Sequence, residues 1–509
     1  MHDLIIRGGT VIDGSGNQRV SADIAIDGDR ITAVGRIDAA ARRTIDAAGC
    51  LVTPGWVDVH THYDGQATWD PILAPSSWHG VTTVVMGNCG VGFAPVRPGQ
   101  EKFLIELMEG VEDIPGAALA EGIDWRWESF AQYLDALEEM PRTIDIATQV
   151  PHGAVRAYVM GERCNTADDL PTADEIAAMA AIVRDGIKAG ALGFSSSRTL
   201  LHKDKHGIHV PGTFAGSDEM LALAEEARRQ GIEVRPQMAG RPTGVLHGLQ
   251  SNFHVFVRHP TFVSELAPLP LDAMVERMRD PAVKAKILAE HSTLSRTISS
   301  ASLDELLWQI FPLGEKPNYE PDRADSVAGI AERNGRDAFD VMYDLLVDHG
   351  GKELFYQPLG GYRTYNFDFF RENMQHPNIL FGLSDGGAHC GIIADAGMPT
   401  FILTHWARDR TKGEQLPLEY LVRKLSFDTA SAYGMHDRGR LVAGQLADVN
   451  IIDFTRLALH RPEAVFDLPT GGKRLVQQVD GYRHIIKRGV PIFADGEHTG
   501  ALPGKLVRG

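Results

Sequence analysis

Short apolar runs alternate with helical segments along the middle of the chain, from about residue 54 to residue 435. Strand–helix alternation over this length predicts a parallel α/β fold of the (β/α) TIM-like barrel type. In such barrels the chemistry is carried by residues at the carboxyl ends of the strands. Six runs are predicted barrel strands: residues 51–60, 81–86, 143–151, 191–198, 232–237 and 379–387.

An eight-stranded barrel needs two more strands than this segment clearly shows. The pattern between residues 238 and 378 is mostly helical, and residues 245–257 and 353–359 are the best candidates for further strands. Three alternatives are open at this point. The region supplies the missing strands, the barrel lacks strands and is open, or a partner chain completes it.

Both ends of the chain carry short β-rich runs separated by turn signals. Residues 3–36 have this pattern, and residues 441–454 and 480–500 repeat it. Neither end is long enough to build a stable core alone. We therefore predict a composite β-sandwich domain from residues 1–53 plus 436–509, around a barrel domain of residues 54–435.

Composition narrows the expected partners and location. The 509-residue chain has a net charge of −17 with dispersed lysines and arginines, so we expect neither nucleic acid nor a membrane as a partner. Its four cysteines are too widely spaced for a disulfide framework. The sequence shows no signal region and no run of about 18 apolar residues, which predicts a reduced, cytoplasmic, soluble protein.

Two histidines end the first predicted barrel strand, in the sequence LVTPGWVDVHTH. In an extended strand, Asp58, His60 and His62 point to the same side. Two imidazoles held on one rigid face suit a metal ion, with other strands supplying the remaining ligands. Because a His-x-His pair is a weak signal alone, the alternative is two polar residues where a strand becomes a loop.

Two more candidate ligands follow later strands. Cys89 ends the second strand, where its thiolate would face the same barrel mouth and could bind zinc. The alternative for Cys89 is a small buried hydrophobic residue. Asp385 follows the last strand, where a carboxylate could bind a metal and move protons. The alternative for Asp385 is an Asx turn before two glycines.

Other polar residues near the predicted strand ends carry less information. His152 lies just beyond the third strand, and Arg198 and Lys203 could hold a substrate carboxylate, although surface charge is the alternative reading. The histidines of residues 202–209 are predicted to lie in a polar loop over the barrel mouth. We find no P-loop, GxGxxG or GxSxG motif, which argues against nucleotide binding and serine hydrolysis.

In this order, the motifs resemble those of the amidohydrolase superfamily, and within it the N-acyl-D-amino-acid deacylases (D-aminoacylases). The resemblance spans nearly the whole chain. The matching motifs are PGWVDVHTHYD (54–64), GVTTVVMGNCGVGFAP (80–95), VPHGAVR (150–156), GALGFSSSR (190–198), GLSDGGAH (382–389), GRLVAGQLADVNIID (439–453) and DGEHTGALPGKLVRG (495–509).

The resemblance implies a barrel with a β-sandwich formed by both chain ends, and one or two zinc ions. Its metal ligands map to His60, His62, Cys89 and Asp385. The implied reaction is hydrolysis of the amide that links an acyl group to a D-amino acid, with Asp385 moving the proton. The expected partner is a small-molecule amide. Homo-oligomerisation is left open.

The chain departs from the family pattern at residues 217–240. The family carries two further histidine ligands on its fifth and sixth strands, and neither is found here. Gln237 occupies a strand end but is a poor zinc ligand. Two other hypotheses follow: an amidohydrolase for a cyclic amide or dipeptide-like substrate, and a degraded barrel that binds without catalysis.

Overall fold

The computed structural model describes residues 1–165, 170–197, 199, 202–231, 236–294 and 303–509. Its strands are β1 (His2–Val11), β2 (Val20–Asp27), β3 (Arg30–Gly35), β4 (Ala41–Asp46), β5 (Leu51–Pro54), β6 (Trp56–Asp58), β7 (Val81–Met86), β8 (Asp145–Thr148), β9 (Val150–Pro151), β10 (Phe194–Ser195), β11 (Gln237–Met238), β12 (Gly244–His247), β13 (Phe311–Pro312), β14 (Phe355–Pro358), β15 (Leu380–Phe381), β16 (Val449–Ile452), β17 (Ala458–Leu459), β18 (Glu463–Leu468), β19 (Gly472–Val476), β20 (Val479–Asp480), β21 (Tyr482–Lys487), β22 (Val490–Ala494) and β23 (Glu497–His498).

The helices surround the middle strands and follow them in sequence. They are α1 (Glu101–Glu112), α2 (Gly116–Gly122), α3 (Phe130–Glu139), α4 (His152–Met160), α5 (Ala173–Ala189), α6 (Ser217–Arg229), α7 (Leu271–Met278), α8 (Pro281–Leu294), α9 (Leu303–Leu307), α10 (Val327–Asn334), α11 (Ala338–Val347), α12 (Asp368–Met374), α13 (Met398–Thr404), α14 (Leu418–Leu425) and α15 (Phe427–Ala432).

Short parallel strands at six positions form the barrel wall. β6, β7 and β8 pair in parallel, and β9 continues the line of β8 and pairs with β10. β15 pairs in parallel with β11. A parallel bridge between Thr61 and Gly386 joins the two groups. The order around the wall is therefore β10, β9 with β8, β7, β6, β15 and β11.

Among the described residues, the barrel wall has a gap between β10 and β11. These two strands do not pair with each other there, and the described residues between them include α6 and no named strand. Most of the predicted strand 232–237 lies outside the described residues, and β11 begins at its last residue. The described part of the chain thus has barrel strands at six positions, with no pairing between β10 and β11.

Most of the predicted strands differ in extent from the observed ones, and two of these differences have a clear local cause. The predicted strand 51–60 is divided, because β5 belongs to the terminal sheet and β6 to the barrel. Gly55 separates them, and a Cβ there would lie 2.3 Å from Thr82. The predicted strand 379–387 is only β15, because Leu383 and Asp385 adopt left-handed backbone angles (φ 60° and 51°) that end the extended run.

The candidate strands between residues 238 and 378 do not complete the barrel. Both regions do contain a strand, β12 in 245–257 and β14 in 353–359, but the two pair antiparallel to each other. With β13 they form a separate three-stranded sheet. The proposal that this region supplies the missing barrel strands is therefore wrong for the described residues. Its helices pack around a core of their own that includes Phe256, Ile287 and Met342.

Strands from both ends of the chain form one nine-stranded sheet, in the order β23-β22-β21-β16-β5-β1-β2-β3, with β4 also paired to β1. β5 and β16 meet antiparallel, with Val52 opposite Ile451. Apolar side chains from both ends fill its core. The sheet brings the two termini together, while the exact domain boundaries at 53/54 and 435/436 stay a prediction.

Helix boundaries follow local capping rules. Thr172 and Glu175 form a capping box at the start of α5, and Gly190 ends the helix with a φ of 116°. Among the helices of the described residues, none has the length and hydropathy of a membrane-spanning segment.

A buried ion cluster ties the amino-terminal end of β8 to the terminal sheet. Asp145 Oδ2 lies 2.7 Å from Arg438 Nη1, 2.9 Å from Lys487 Nζ and 3.0 Å from Arg488 Nη2. Asp145 and Lys487 are fully buried. Burial alone would raise the pKa of Asp145, but the three cations outweigh it and hold that pKa well below its usual range.

We expect Asp145→Asn to lower the free energy of unfolding at pH 7 by about 3–5 kcal/mol, because it removes the buried carboxylate that three cations share. The folded-state pKa lies below the unfolded value near 3.8, so the Asp145 contribution is complete above about pH 5 and is lost as the pH falls. Urea unfolding should therefore show that the difference in the free energy of unfolding between the wild type and the variant becomes smaller as the pH falls toward about pH 3.

Asp437→Asn is the matched control, because Asp437 pairs with the same Arg438 but is 41% exposed. Its effect should stay below about 1 kcal/mol. A loss in Asp145→Asn no larger than that of the control would contradict a stabilising role for the cluster.

Candidate metal centre

His60 and His62 lie where the first barrel strand ends, and neighbouring backbone holds them there. Thr61 N–H donates to the carbonyl of Val85 (3.1 Å), and His62 N–H donates to the carbonyl of Gly386 (2.8 Å). Both histidines are buried, and their ring centroids are 5.4 Å apart. Two rigid imidazoles therefore share one face, as the spacing predicts.

Cys89 and Asp385 reach the same point from the loops after β7 and β15. The ligand atoms of His60, His62 and Cys89 all lie within 4.8 Å of one another. Asp385 Oδ1 lies 3.4 Å from His60 Nε2 and 3.8 Å from His62 Nε2. The structure thus brings together all four residues that the sequence singles out as metal ligands. Their role as ligands stays a prediction.

Each imidazole also has a polar side chain near its outer nitrogen. Gln237 Oε1 lies 2.7 Å from His60 Nδ1, and Glu112 Oε1 lies 3.3 Å from His62 Nδ1. The other carboxylate oxygen of Glu112 lies 3.5 Å from His389 Nε2. The nitrogens that face Cys89 and Asp385 are therefore the Nε2 atoms. Carboxylate and amide partners of this kind orient histidines that bind metals.

Burial governs the charge states at this point. It raises the pKa of Asp385 to about 7 and moves the pKa of Glu112 well above its usual range. It lowers the pKa of His60 and, more strongly, of His62. Burial and neighbouring carboxylates also raise the pKa of the Cys89 thiol. Without a metal, the imidazoles are neutral and the thiol is protonated at neutral pH.

This donor set fits a divalent metal ion, and zinc in particular. Imidazole nitrogen and thiolate sulfur are ligands that zinc prefers, and three protein ligands leave one position open. Two buried atoms beside them, His62 Nδ1 and Glu112 Oε2, have no hydrogen-bond partner among the described residues. Buried polar atoms in proteins rarely lack a hydrogen-bond partner. A cation on the Nε2 side would strengthen the attraction between His62 Nδ1–H and Glu112.

A cavity of about 700 Å³ opens beside these residues, in the gap of the barrel wall between β10 and β11. His60 and Cys89 line it on the side of the metal ligands. Its remaining walls are both polar and apolar, and include Gln149, Leu192, Phe194, Ser196, Gln237 and Tyr433. A cavity of this size accommodates a small molecule.

The predicted substrate residues fall in two different situations. His152 is fully buried, with Nε2 2.8 Å from Glu219 Oε1 and Nδ1 2.8 Å from the hydroxyl of Ser196, which lines the cavity. It therefore contacts the cavity wall, and its substrate role stays a prediction. Arg198 lies outside the described residues. In the polar loop at 202–209, burial and the nearby His60 lower the pKa of His202.

Glu112 and Gln237 are the residues near the ligands whose roles sequence reasoning missed. Glu112 is 1% exposed and ends α1. A signal for it was present, because Leu104, Met108 and Glu112 are spaced four residues apart on the apolar face of that helix. A carboxylate on an apolar stripe is costly unless something compensates it. The sequence alone identifies Gln237 only as a poor zinc ligand at a strand end.

The chain is similar to known proteins over nearly its whole length. The model of the amidohydrolase family matches residues 43–255 and 246–493 of the chain. The D-aminoacylase of Alcaligenes xylosoxydans xylosoxydans is 28% identical over 99% of this chain and 97% of its own length. The N-acyl-D-glutamate deacylase of the same organism is 29% identical over 99% of this chain and 96% of its own length.

Solved structures share the fold. A crystal structure of D-aminoacylase aligns over 100% of both chains with a TM-score of 0.62 and 24% identity. The N-acyl-D-glutamate deacylase of Bordetella bronchiseptica, solved with zinc and a phosphonate inhibitor, aligns over 100% of both chains with a TM-score of 0.60 and 24% identity. These likenesses confirm the predicted fold, a TIM-like barrel with a β-rich domain.

Zinc binding at this site is expected to release about one proton from Cys89, because the buried thiol is protonated without metal. The histidines are already neutral and add none, whereas Asp385 adds a fraction of a proton. The zinc affinity should therefore rise roughly tenfold per pH unit between about pH 6 and pH 8. Calorimetric titration in buffers of different ionisation enthalpy counts the protons.

Cys89→Ala should release about one proton fewer than the wild type and bind zinc more weakly. Cys164→Ala is the control, because Cys164 is also a buried free thiol but lies outside the ligand group. Equal proton release by Cys89→Ala and the wild type would contradict ligation by Cys89.

Proposed function

Because the chain belongs to the amidohydrolase family, we propose that it is a zinc-dependent hydrolase of N-acyl-D-amino acids that releases a carboxylate and a D-amino acid. The observation that carries the proposal is the convergence of His60, His62 and Cys89 on one point beside the Asp385 carboxylate. The whole-length likeness to two D-amino-acid deacylases supports this substrate class.

His60, His62 and Cys89 would hold the zinc ion, with Asp385 as a further ligand or as its neighbour. Bound zinc supplies a Lewis acid that polarises the amide carbonyl and lowers the pKa of a water molecule. Gln237 contacts the His60 imidazole from behind at 2.7 Å, and Glu112 lies 3.3 Å from the outer nitrogen of His62.

Asp385 is the proposed proton carrier. Burial raises its pKa to about 7, so near neutral pH it exists both as a carboxylate and as a carboxylic acid. Its carboxylate takes a proton from the attacking water, and the acid returns that proton to the nitrogen of the leaving amino acid. The water oxygen joins the acyl carbon as the C–N bond breaks, which balances the hydrolysis. The neighbouring Ser384 hydroxyl donates to Asp58 and anchors this loop to the first strand.

A reducing location, such as the cytoplasm, is part of this proposal. All four cysteines are free thiols in the structure, and a Cys89 thiolate has to stay unoxidised to bind a metal. The expected partner is a small-molecule amide, and we propose that His152 and Arg198 contribute to its binding.

A second candidate is a barrel that has kept its fold and lost its catalyst. The gap in the wall favours it, because Gln237 stands at the end of β11 and the family's two further histidine ligands have no counterparts in the sequence. A hydrolase of cyclic amides within the same family is a third candidate.

A substrate panel separates the three candidates. Zinc-loaded protein would be incubated with N-acyl-D-amino acids that carry acidic or apolar side chains, with their L-enantiomers and with hydantoins. We expect hydrolysis of D-enantiomers only, measured as release of free amine. Cleavage of hydantoins alone would favour the cyclic-amide candidate. Stoichiometric zinc binding with no cleavage of any compound would favour the degraded barrel.

Asp385→Asn should lower kcat at least about 100-fold, because the amide side chain cannot accept and return the proton. Zinc content measured by elemental analysis tells whether Asp385 also acts as a ligand, since a ligand's loss lowers the content. Asp409→Asn is the control, because its carboxylate pairs with Arg408 at the surface. Unchanged kcat in Asp385→Asn would overturn the assigned role.

A further inference from the structure

Gln237 links the metal ligand His60 to the gap in the barrel wall. It is the first residue of β11, and its side chain lines the cavity beside His60 and Cys89. Its Oε1 atom lies 2.7 Å from His60 Nδ1, which is a short hydrogen bond for a neutral pair. The side chain thus touches the ligand from behind, on the side opposite to the other donors.

Tyr433 contacts the end of the Gln237 amide that points away from the histidine. Gln237 Nε2 donates to the Tyr433 hydroxyl at 3.1 Å, and the structure directs Oε1 at His60. An amide oxygen only accepts hydrogen bonds. His60 Nδ1 must therefore carry the proton, which leaves the lone pair of the neutral ring on Nε2.

The tautomer decides whether His60 is ready to bind a metal. His60 Nε2 lies 3.4 Å from Cys89 Sγ and 3.4 Å from Asp385 Oδ1, within the group of candidate ligands. A ring protonated on Nε2 would present a hydrogen to that group instead of a lone pair. The bond to Gln237 therefore prepares the nitrogen that the metal needs.

Local charge explains an amide rather than a carboxylate at this position. Glu112 already provides a buried carboxylate behind His62, and Asp385 and Asp64 raise the pKa of Glu112 further. A second carboxylate behind His60 would add like charge to this buried cluster. The backbone leaves room for the amide, because a Cβ at Gly382 would lie 3.0 Å from Gln237 Oε1.

We propose that Gln237, fixed by Tyr433, is a positioning residue that holds His60 in the Nδ1–H tautomer and so raises the zinc affinity of the site. This role rests on the metal site of the proposed function. It gives Gln237 a function at the end of β11, where the chain has no zinc-binding side chain.

The test is the zinc dissociation constant, measured for the full chain by competition with a chromophoric chelator at about pH 7.5. Gln237→Leu removes the acceptor and should weaken zinc binding by about 10–100-fold. Gln237→Glu keeps an acceptor and should restore the affinity to within a few-fold of the wild type. Tyr433→Phe releases the amide and should give a smaller loss than Gln237→Leu.

Gln357→Leu is the matched control. Gln357 Oε1 lies 2.7 Å from His247 Nε2, the same contact at the same distance, but on the separate antiparallel sheet. A general loss of stability from removing a half-buried glutamine would appear in both variants. Only Gln237→Leu should change the zinc affinity.

A spectroscopic measurement on zinc-free protein checks the tautomer directly. Histidine ¹⁵N chemical shifts should report Nδ1–H for His60 in the wild type and a shift toward Nε2–H in Gln237→Leu. Equal zinc affinity of the wild type and Gln237→Leu would overturn this inference alone. A wild type that binds no zinc would overturn the proposed function and this inference together.

Discussion

The pairing of the last barrel strand with the first is the contact on which the rest of the site depends. His62 N–H donates to the Gly386 carbonyl, and Asp385 N–H donates to the His60 carbonyl, across more than 300 residues of chain. These two bonds place the Asp385 carboxylate beside both imidazoles. The remaining ligand, Cys89, arrives by the ordinary parallel pairing of β7 with β6.

Buried carboxylates have different partners at the two ends of the barrel. At the amino-terminal end, Asp145 is surrounded by three cations, and this fully paired cluster fastens the barrel to the terminal sheet. At the carboxyl end, the partners of Asp385 and Glu112 within salt-bridge distance in the described residues are histidines. Buried carboxylates without a cationic side chain keep raised pKa values, as functional sites often do. The amino-terminal end of the barrel therefore contributes stability, and the carboxyl end carries the candidate metal site.

The gap in the described part of the wall lies directly beside the candidate metal ligands. A closed barrel fills its interior with layers of side chains, whereas here a cavity of about 700 Å³ lies between β10 and β11 and reaches His60 and Cys89. Gln237 stands at the edge of this gap and contacts His60. The part of the barrel that looks deficient in sequence therefore contributes both the space for a ligand and a contact that prepares the metal ligand.

Much of the site could be predicted because its residues belong to recognisable strand ends. His60 and His62 follow from the period of an extended strand, and Cys89 and Asp385 follow from their positions after apolar runs. The length of each strand was less predictable, because left-handed turns at Leu383 and Asp385 shorten the last one. The assignment of residues 245–257 and 353–359 to the barrel was wrong. The sequence of a buried strand does not show whether the neighbouring strand runs parallel or antiparallel to it.

The sequence by itself determined the alternating architecture, the union of both termini and the four candidate ligands, since these depend on local periodicity and on motif order. Only the tertiary structure decided that β10 and β11 do not pair among the described residues, that Glu112 and Gln237 stand behind the two histidines, and which imidazole nitrogen each ligand presents. Those features arise from side chains that meet across large separations in sequence, 177 residues for His60 and Gln237. Local pattern carries no information about such meetings, because they are set by how the strands pack in three dimensions.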